Sequence, residues 1–192
     1  KPLVKDNQLI GFSTQWLLDE ASSSAVLYDV KQAKGDKAAQ QKLTDEVMAN
    51  VVNEHYFSYV FDKENHKIKY TKHPENYGMR VKGNEVEYYF DFLLVQPQSL
   101  QNNEFTLMTY DRTYYVAMRY AETGKRAVDF SSLPANCKGE VLEPNVDEKI
   151  QSYASSLDKS QKNEDDSVGV WLGLKEKLSV DKNKLKLTPH FI

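Results

Sequence analysis

GMRVKGNEVEYYFDFLLV, residues 78–95, holds two runs of β-branched and aromatic residues around a central Lys-Gly-Asn turn. Glycine tolerates the positive φ that tight hairpin turns require, so this stretch predicts an antiparallel hairpin. Similar runs continue from Tyr56 to about Phe130, with turn residues at 63–65 and 111–112. Several short strands joined by tight turns indicate an antiparallel meander of hairpins.

Another hairpin is predicted at the amino end of the chain. Residues 2–5 and 9–18 are strand-like, and Asp6-Asn7-Gln8 between them supply turn residues. In a hairpin that turns there, residues pair when their numbers sum to about 14. Alternate side chains of the second strand, from Ile10 to Leu18, then share one face.

Three helices are predicted. The first spans about 21–33 and ends before Gly35. The second begins at Asp36, a suitable N-cap, and runs to about residue 53. Its apolar side chains recur every four residues and should form the buried face: Ala39, Leu43, Val47 and Val51. The third helix spans 146–161.

The end of the chain is less regular. Residues 168–180 alternate enough to form a closing strand, and residues 181–192 are expected to form a short strand or a loose tail. The predicted fold class is therefore α+β, with an antiparallel sheet and three helices packed on one side of it. A length of 192 residues is most simply one domain, 1–192.

Composition narrows the possible functions. The net charge of −3 argues against general nucleic-acid binding, and no apolar run approaches the roughly 20 residues of a membrane span. Cys137 is the only cysteine, so it has no intramolecular disulfide partner. The chain starts at Lys1 without a methionine, for which a processed or truncated N-terminus is the simplest explanation.

No enzyme motif is present. The sequence lacks a GxSxG elbow and a phosphate-binding loop, and its eight glycines are scattered as turn residues. None of the histidines at 55, 66, 73 and 190 has the i, i+4 partner that a zinc-binding helix uses. The sequence therefore predicts a protein that is not an enzyme.

Three parts of the sequence carry side chains that can bind ligands. Asp19 and Glu20 follow the second strand, where they can act in a site or cap the first helix. His55 follows the second helix, where it can contact a ligand or complement the helix dipole. The pairs Tyr88-Tyr89 and Tyr114-Tyr115 put one ring on each sheet face, for packing or for an aromatic ligand groove.

Four segments carry a family resemblance: WLLDE (16–20), FSYVFD (57–62), YFDFLL (89–94) and YDRTYYVAM (110–118). Together they resemble a family of periplasmic, transport-associated proteins of unknown function, usually encoded beside nickel/cobalt-type permeases. The resemblance implies a periplasmic metal-binding accessory component of a zinc uptake system, with nickel or cobalt as the alternative metal. Such a protein would deliver metal to an inner-membrane permease.

The resemblance also implies features that this chain lacks. The family usually has a His-Pro-His segment ahead of the first strand and often a second cysteine that can pair with the one matching Cys137. The predicted hairpin register places Asp19 and Glu20 beside whatever precedes Lys1. We therefore expect Asp19, Glu20 and then His55 to contribute to a metal site that is completed by such histidines.

A different class of function stays open. The chain can be an interaction module without a metal, which binds a permease or a small organic ligand through its tyrosine-rich sheet.

Overall fold

A computed structural model describes residues 1–112, 116, 118, 120, 127–142 and 185–189. It has a mixed α+β fold with antiparallel sheets, which confirms the predicted class in this coarser form. The chain divides into two compact units: Lys1–Tyr56 with Lys69–Ser99, and Phe57–Ile68 with Leu100–Ile192. These are the first and second units below. That the chain forms one domain stays a prediction.

The described elements follow one another in this order: β1 (Pro2–Lys5), β2 (Gln8–Leu17), α1 (Glu20–Gln32), α2 (Lys37–Asn53), a short 3₁₀ turn (His55–Phe57), β3 (Ser58–Phe61), β4 (Lys67–Ile68), β5 (Glu75–Lys82), β6 (Glu85–Ser99), β7 (Thr106–Thr109), β8 (Gly139–Val141) and β9 (Leu185–Pro189).

The first unit contains a four-stranded antiparallel sheet in the order β1-β2-β6-β5. Both predicted hairpins are confirmed. Asp6 and Asn7, with φ of 49° and 59°, fill the two-residue loop of the first, as a type I′ turn requires. Gly83, with φ of 63°, begins the two-residue loop of the second. Pro2 pairs with Phe12, so the predicted register is also confirmed.

One face of this sheet, called the inner face below, is mostly aromatic. Phe12 of β2 lies opposite Phe92 of β6, with ring centroids 5.4 Å apart. Trp16 and Phe90 pack edge to face with ring centroids 5.0 Å apart, and Tyr56 stacks on Phe92 with ring centroids 5.1 Å apart. The buried residues of β6 alternate along the strand: Val86, Tyr88, Phe90, Phe92 and Leu94. This alternation fixes which side of the sheet forms the core.

Both described helices lie on the inner side of the sheet. Burial, and then the nearby Asp29 carboxylate of α1, raises the pKa of Tyr88 on β6. The Tyr77 hydroxyl of β5 donates to Asp45 Oδ1 of α2 at 2.8 Å. Each of the two described helices thus has a contact with the inner face, and the packing of three helices on one side stays a prediction. The third predicted helix, 146–161, lies outside the described residues.

Helix α2 begins as predicted and buries Val51 as predicted, but the rest of its buried face is shifted by one residue from the predicted stripe. The Asp36 carboxylate accepts the backbone N–H groups of Ala38 and Ala39 at 2.8 and 3.2 Å. The fully buried residues are Thr44, Met48 and Val51, whereas Ala39, Leu43 and Val47 of the predicted stripe are only half-buried. Packing against the sheet decides the rotation of the helix, and Thr44 can be buried because its hydroxyl donates to the Gln40 carbonyl.

The segment after α2 has an uncommon backbone. His55, Tyr56 and Phe57 have φ of 52°, 58° and 48°, so three consecutive residues other than glycine are left-handed. Each such residue costs on the order of 1 kcal/mol. The Tyr56 side chain is 1% exposed, and its hydroxyl donates to the Thr71 carbonyl at 3.0 Å. Burial of this ring therefore offsets part of the backbone strain.

The second unit has its own sheet, in the order β4-β3-β7-β9-β8. The predicted hairpin of β3 and β4 is confirmed, but the expectation of one antiparallel meander is wrong. There are two sheets, and β9 runs parallel to both β7 and β8. The predicted short strand in 181–192 is thus present as β9. The closing strand at 168–180, and most of the strand expected after Arg112, lie outside the described residues.

Candidate functional site at the start of helix α1

Asp19 connects the end of β2 to the first turn of α1. Its backbone is extended, with φ of −64° and ψ of 171°, and its Oδ1 accepts the Ser22 N–H at 2.7 Å. Hydrogen bonds from the Ser22 backbone and side chain lower the pKa of this exposed carboxyl group. The capping interpretation of Asp19 is confirmed, and the carboxylate is ionised at neutral pH.

Ser23 fixes this junction to the sheet, and sequence reasoning did not single it out. Its side chain is buried, its hydroxyl donates to the Leu18 carbonyl at 3.3 Å, and its Oγ accepts the Val86 N–H at 3.2 Å. It therefore joins the ends of β2 and β6 to the first turn of α1. Ser22, Ser23 and Ser24 are consecutive, and the sequence does not distinguish Ser23 because its partner Val86 lies on a distant strand.

Glu20 is the first residue of α1 and is exposed to solvent. Two carboxylates thus stand at a helix N-terminus, where the helix dipole favours negative charge. The Asp19 cap and the Ser23 hydrogen bond to the Leu18 carbonyl hold the first turn of α1 against the end of β2, which fixes where the two acids lie.

His55 lies beyond the other helix, at the start of the left-handed turn, and is exposed. Within the ranges that the structure describes, no three His, Cys, Asp or Glu residues are grouped so that they could hold a metal ion. Asp19, Glu20 and His55 therefore do not form a complete site by themselves. Their role as ligands stays a prediction.

The remaining histidines and the cysteine occupy other places. His66 Nδ1 lies 3.4 Å from Asp62 and 3.5 Å from Glu64, in the exposed turn between β3 and β4. Cys137 is a free, half-buried thiol. His190 lies outside the described residues.

The sheet tyrosines have packing roles where the structure describes them. Tyr88 is 3% exposed on the inner face, and Tyr89 points to the opposite, outer face, as the alternation predicts. A side chain at Gly78 would overlap the hydroxyl end of Tyr89, and the Arg80 guanidinium carbon lies 3.9 Å from the Tyr89 ring centroid. The second tyrosine pair, 114 and 115, lies outside the described residues.

Charged and polar side chains surround Tyr89 on the outer face. Arg80 Nη1 binds Glu87 Oε1 at 2.6 Å, and Lys82 Nζ lies 3.7 Å from the same carboxylate. Asn76 Nδ2 donates to Asp91 Oδ2 at 2.8 Å. Among the helices that the structure describes, none has the length and apolar character needed to cross a membrane.

Comparison with known proteins agrees with the coarser part of the resemblance. Residues 1–179 match a family described as "Protein of unknown function (DUF1007)". An uncharacterized protein of Haemophilus influenzae is 62% identical over 174 residues, which cover 91% of this chain and 83% of the relative. No solved structure matches the chain. Because the family match and the alignment both span most of its length, the chain belongs to the DUF1007 family.

Proposed function

We propose that this chain is a periplasmic metal-binding accessory component of a zinc uptake system that delivers the metal to an inner-membrane permease. Nickel or cobalt is the alternative cargo. The proposal is supported by the resemblance of four segments to transport-associated periplasmic proteins, in particular to the Haemophilus-type zinc-uptake protein. The family itself is one of unknown function, so the transport role is carried by the resemblance and by the chemistry of the α1 junction.

The main structural support is the position of the two acids. Asp19 and Glu20 are exposed at the end of β2, and the register of β1 and β2 directs any residue ahead of Lys1 towards that end. Zinc sites combine imidazole nitrogens with carboxylate oxygens, usually four ligands in total. Two acids are too few, but two histidines of a His-Pro-His segment would complete such a set.

Asp19 uses one oxygen, Oδ1, as the cap of α1. A carboxylate that is held by a hydrogen bond is oriented before the metal arrives, as is common for metal ligands and their partners. His55 has a weaker claim. Backbone strain often accumulates at functional sites, and the left-handed φ of His55 is such strain, although histidine tolerates it better than most residues.

Zinc titration by calorimetry tests the proposal in a form that carries the His-Pro-His segment. Asp19→Asn removes the negative charge but preserves the cap, because asparagine is an equally good N-cap. We expect the affinity for zinc to fall at least tenfold, as for other residues that bind or orient a metal.

The chain offers a matched control in Asp36→Asn, which makes the same change at the cap of α2. The affinity should be unchanged in that variant. Equal zinc affinities for the two variants and the parent would contradict a role for Asp19. Unchanged affinity after removal of everything ahead of Lys1 would contradict the N-terminal part of the site.

The alternative function, an interaction module without metal, is supported by exposed apolar side chains on the outer face. Leu17 is 63% exposed and Val95 is 56% exposed. If metal-free protein binds the permease as tightly as zinc-loaded protein does, this alternative is favoured and metal delivery is not.

A further inference from the structure

Strand β2 extends beyond the end of its neighbour β1. β1 pairs with β2 only as far as Phe12, and Lys1 extends the ladder by one more pair, with Ser13. Thr14 to Leu17 continue as strand and pair with β6 on their other side. In the part of the chain that the structure describes, no strand covers this last segment of β2 on the side of β1. We call it the open edge.

The hydrogen-bonding direction along the open edge follows from its neighbours. Ser13 exchanges two hydrogen bonds with Lys1, each 2.8 Å long, so its peptide groups point towards β1. Leu18 lies an odd number of residues from Ser13 and donates in the opposite direction, to the Val86 carbonyl of β6. Alternate residues of a strand direct their peptide groups to the same side. Gln15 and Leu17 lie two and four residues after Ser13, so their N–H and C=O groups point out of the open edge. Both residues are exposed.

Exposed strand edges are sites where another extended segment can add to a sheet. The amino end of β1 indicates which segment can pair with the open edge. The amino nitrogen of Lys1 donates to the Ser13 carbonyl at 2.8 Å, as a peptide N–H would do at the same place in the ladder. A peptide bond at that nitrogen can thus continue β1 in its present direction.

We infer that the open edge of β2 is the docking site of an extended segment joined to the amino end of Lys1. Continuation of the pairing places the first four residues ahead of Lys1 opposite Thr14, Gln15, Trp16 and Leu17. A covalently joined strand is favoured over a separate one because it loses less freedom on docking.

The register also specifies the sequence that fits. The first and third residues ahead of Lys1 lie opposite Thr14 and Trp16, on the inner face, so apolar side chains fit there. The second and fourth exchange hydrogen bonds with Gln15 and Leu17 and face the outer side. This inference rests on the ladder geometry, and it deepens the proposed function by giving a segment with metal ligands a path to Asp19.

Hydrogen exchange measured by NMR tests the inference without any metal. The chain that begins at Lys1 is compared with one extended by Thr-Val-Thr-Val, which puts valine at both inner positions. We expect the amides of Gln15 and Leu17 to exchange at least tenfold more slowly in the extended form. Unchanged exchange at both amides would overturn the inference, and zinc titration can still succeed or fail independently.

Two proline variants of the extension supply the matched control. In Thr-Val-Pro-Val the proline replaces the residue whose N–H donates to the Gln15 carbonyl, so the protection should disappear. In Thr-Pro-Thr-Val the proline lies where the N–H points away from β2, so the protection should persist. Equal exchange in the two variants would contradict the predicted register. Concentration-dependent protection in the chain that begins at Lys1 would assign the edge to a second copy and overturn the inference.

Discussion

The two faces of the sheet in the first unit are built from the same strands but differ in chemistry. On the inner face, rings of β2 and β6 contact one another; Phe12, Phe90 and Phe92 are at most 1% exposed, and Trp16 is half-buried. On the outer face, Tyr89, which is next to Phe90 in the chain, contacts Gly78 and Arg80, and Arg80 is ion-paired with Glu87. Strand alternation thus separates a buried aromatic layer from a more exposed layer of polar and charged contacts.

The two faces also differ in how far apart in the chain their contacting residues lie. Inner-face rings come from β2, β6 and the segment after α2, so each holds distant parts of the unit together. Contacts on the outer face join neighbours on β5 and β6, such as Arg80 and Glu87. Loss of an inner ring should therefore weaken the whole unit, whereas loss of an outer contact should have a small effect.

Truncation of one ring on each face gives the largest contrast. Phe90→Ala is expected to lower the free energy of unfolding by about 3–5 kcal/mol, because it leaves a cavity among rings. Tyr89→Ala should cost only about 1 kcal/mol, mainly the contact with Arg80. Urea denaturation followed by circular dichroism measures both values. Similar losses for the two variants would mean that the faces do not differ in energy as their packing suggests.

High pH should weaken the packing of the inner face. Burial raises the pKa of Tyr56 to about 12, above its ordinary value of 10.0. Its neutral form therefore stabilises the fold fully below pH 10, and this contribution is lost as the pH rises through 12. In Tyr56→Phe, denaturation curves measured from pH 9 to 12 should show a smaller loss of stability. An unchanged pH profile would exclude Tyr56 as the titrating group.

A smaller effect is expected at Gly78 on the outer face. A methyl group there meets the hydroxyl and ring carbons of the Tyr89 side chain rather than backbone, so the ring can shift and Gly78→Ala should cost about 1 kcal/mol. In a Tyr89→Ala background the same change should be neutral or slightly stabilising, because alanine is stiffer than glycine in a strand. Thermal melts of the four variants complete the cycle, and an equal cost in both backgrounds would show that the ring is not what excludes the methyl group.

Features with a local cause were predictable from the sequence. Gly83 and Asp6-Asn7 specify their turns through their own backbone preferences, and Asp36 caps α2 through its own carboxylate. The capping role of Asp19 was predictable for the same reason, because the cap joins two residues only three positions apart.

Features that depend on distant partners were not predictable. The rotation of α2 is decided by the sheet, and β9 finds its parallel partners far away in the chain. Ser23 acquires its role only because Val86 reaches it from β6. Whether the acids at α1 meet a histidine is a question of the same kind, so no local pattern can answer it.

The left-handed turn at His55–Phe57 has a consequence for the order of folding. An unfolded chain seldom visits three successive left-handed conformations, because each is disfavoured by on the order of 1 kcal/mol. The turn becomes favourable when Phe90 and Phe92 of β6 offer Tyr56 a surface on which to stack. We therefore expect Tyr56 to dock after the transition state, so that mutations there speed unfolding and leave the folding rate nearly unchanged.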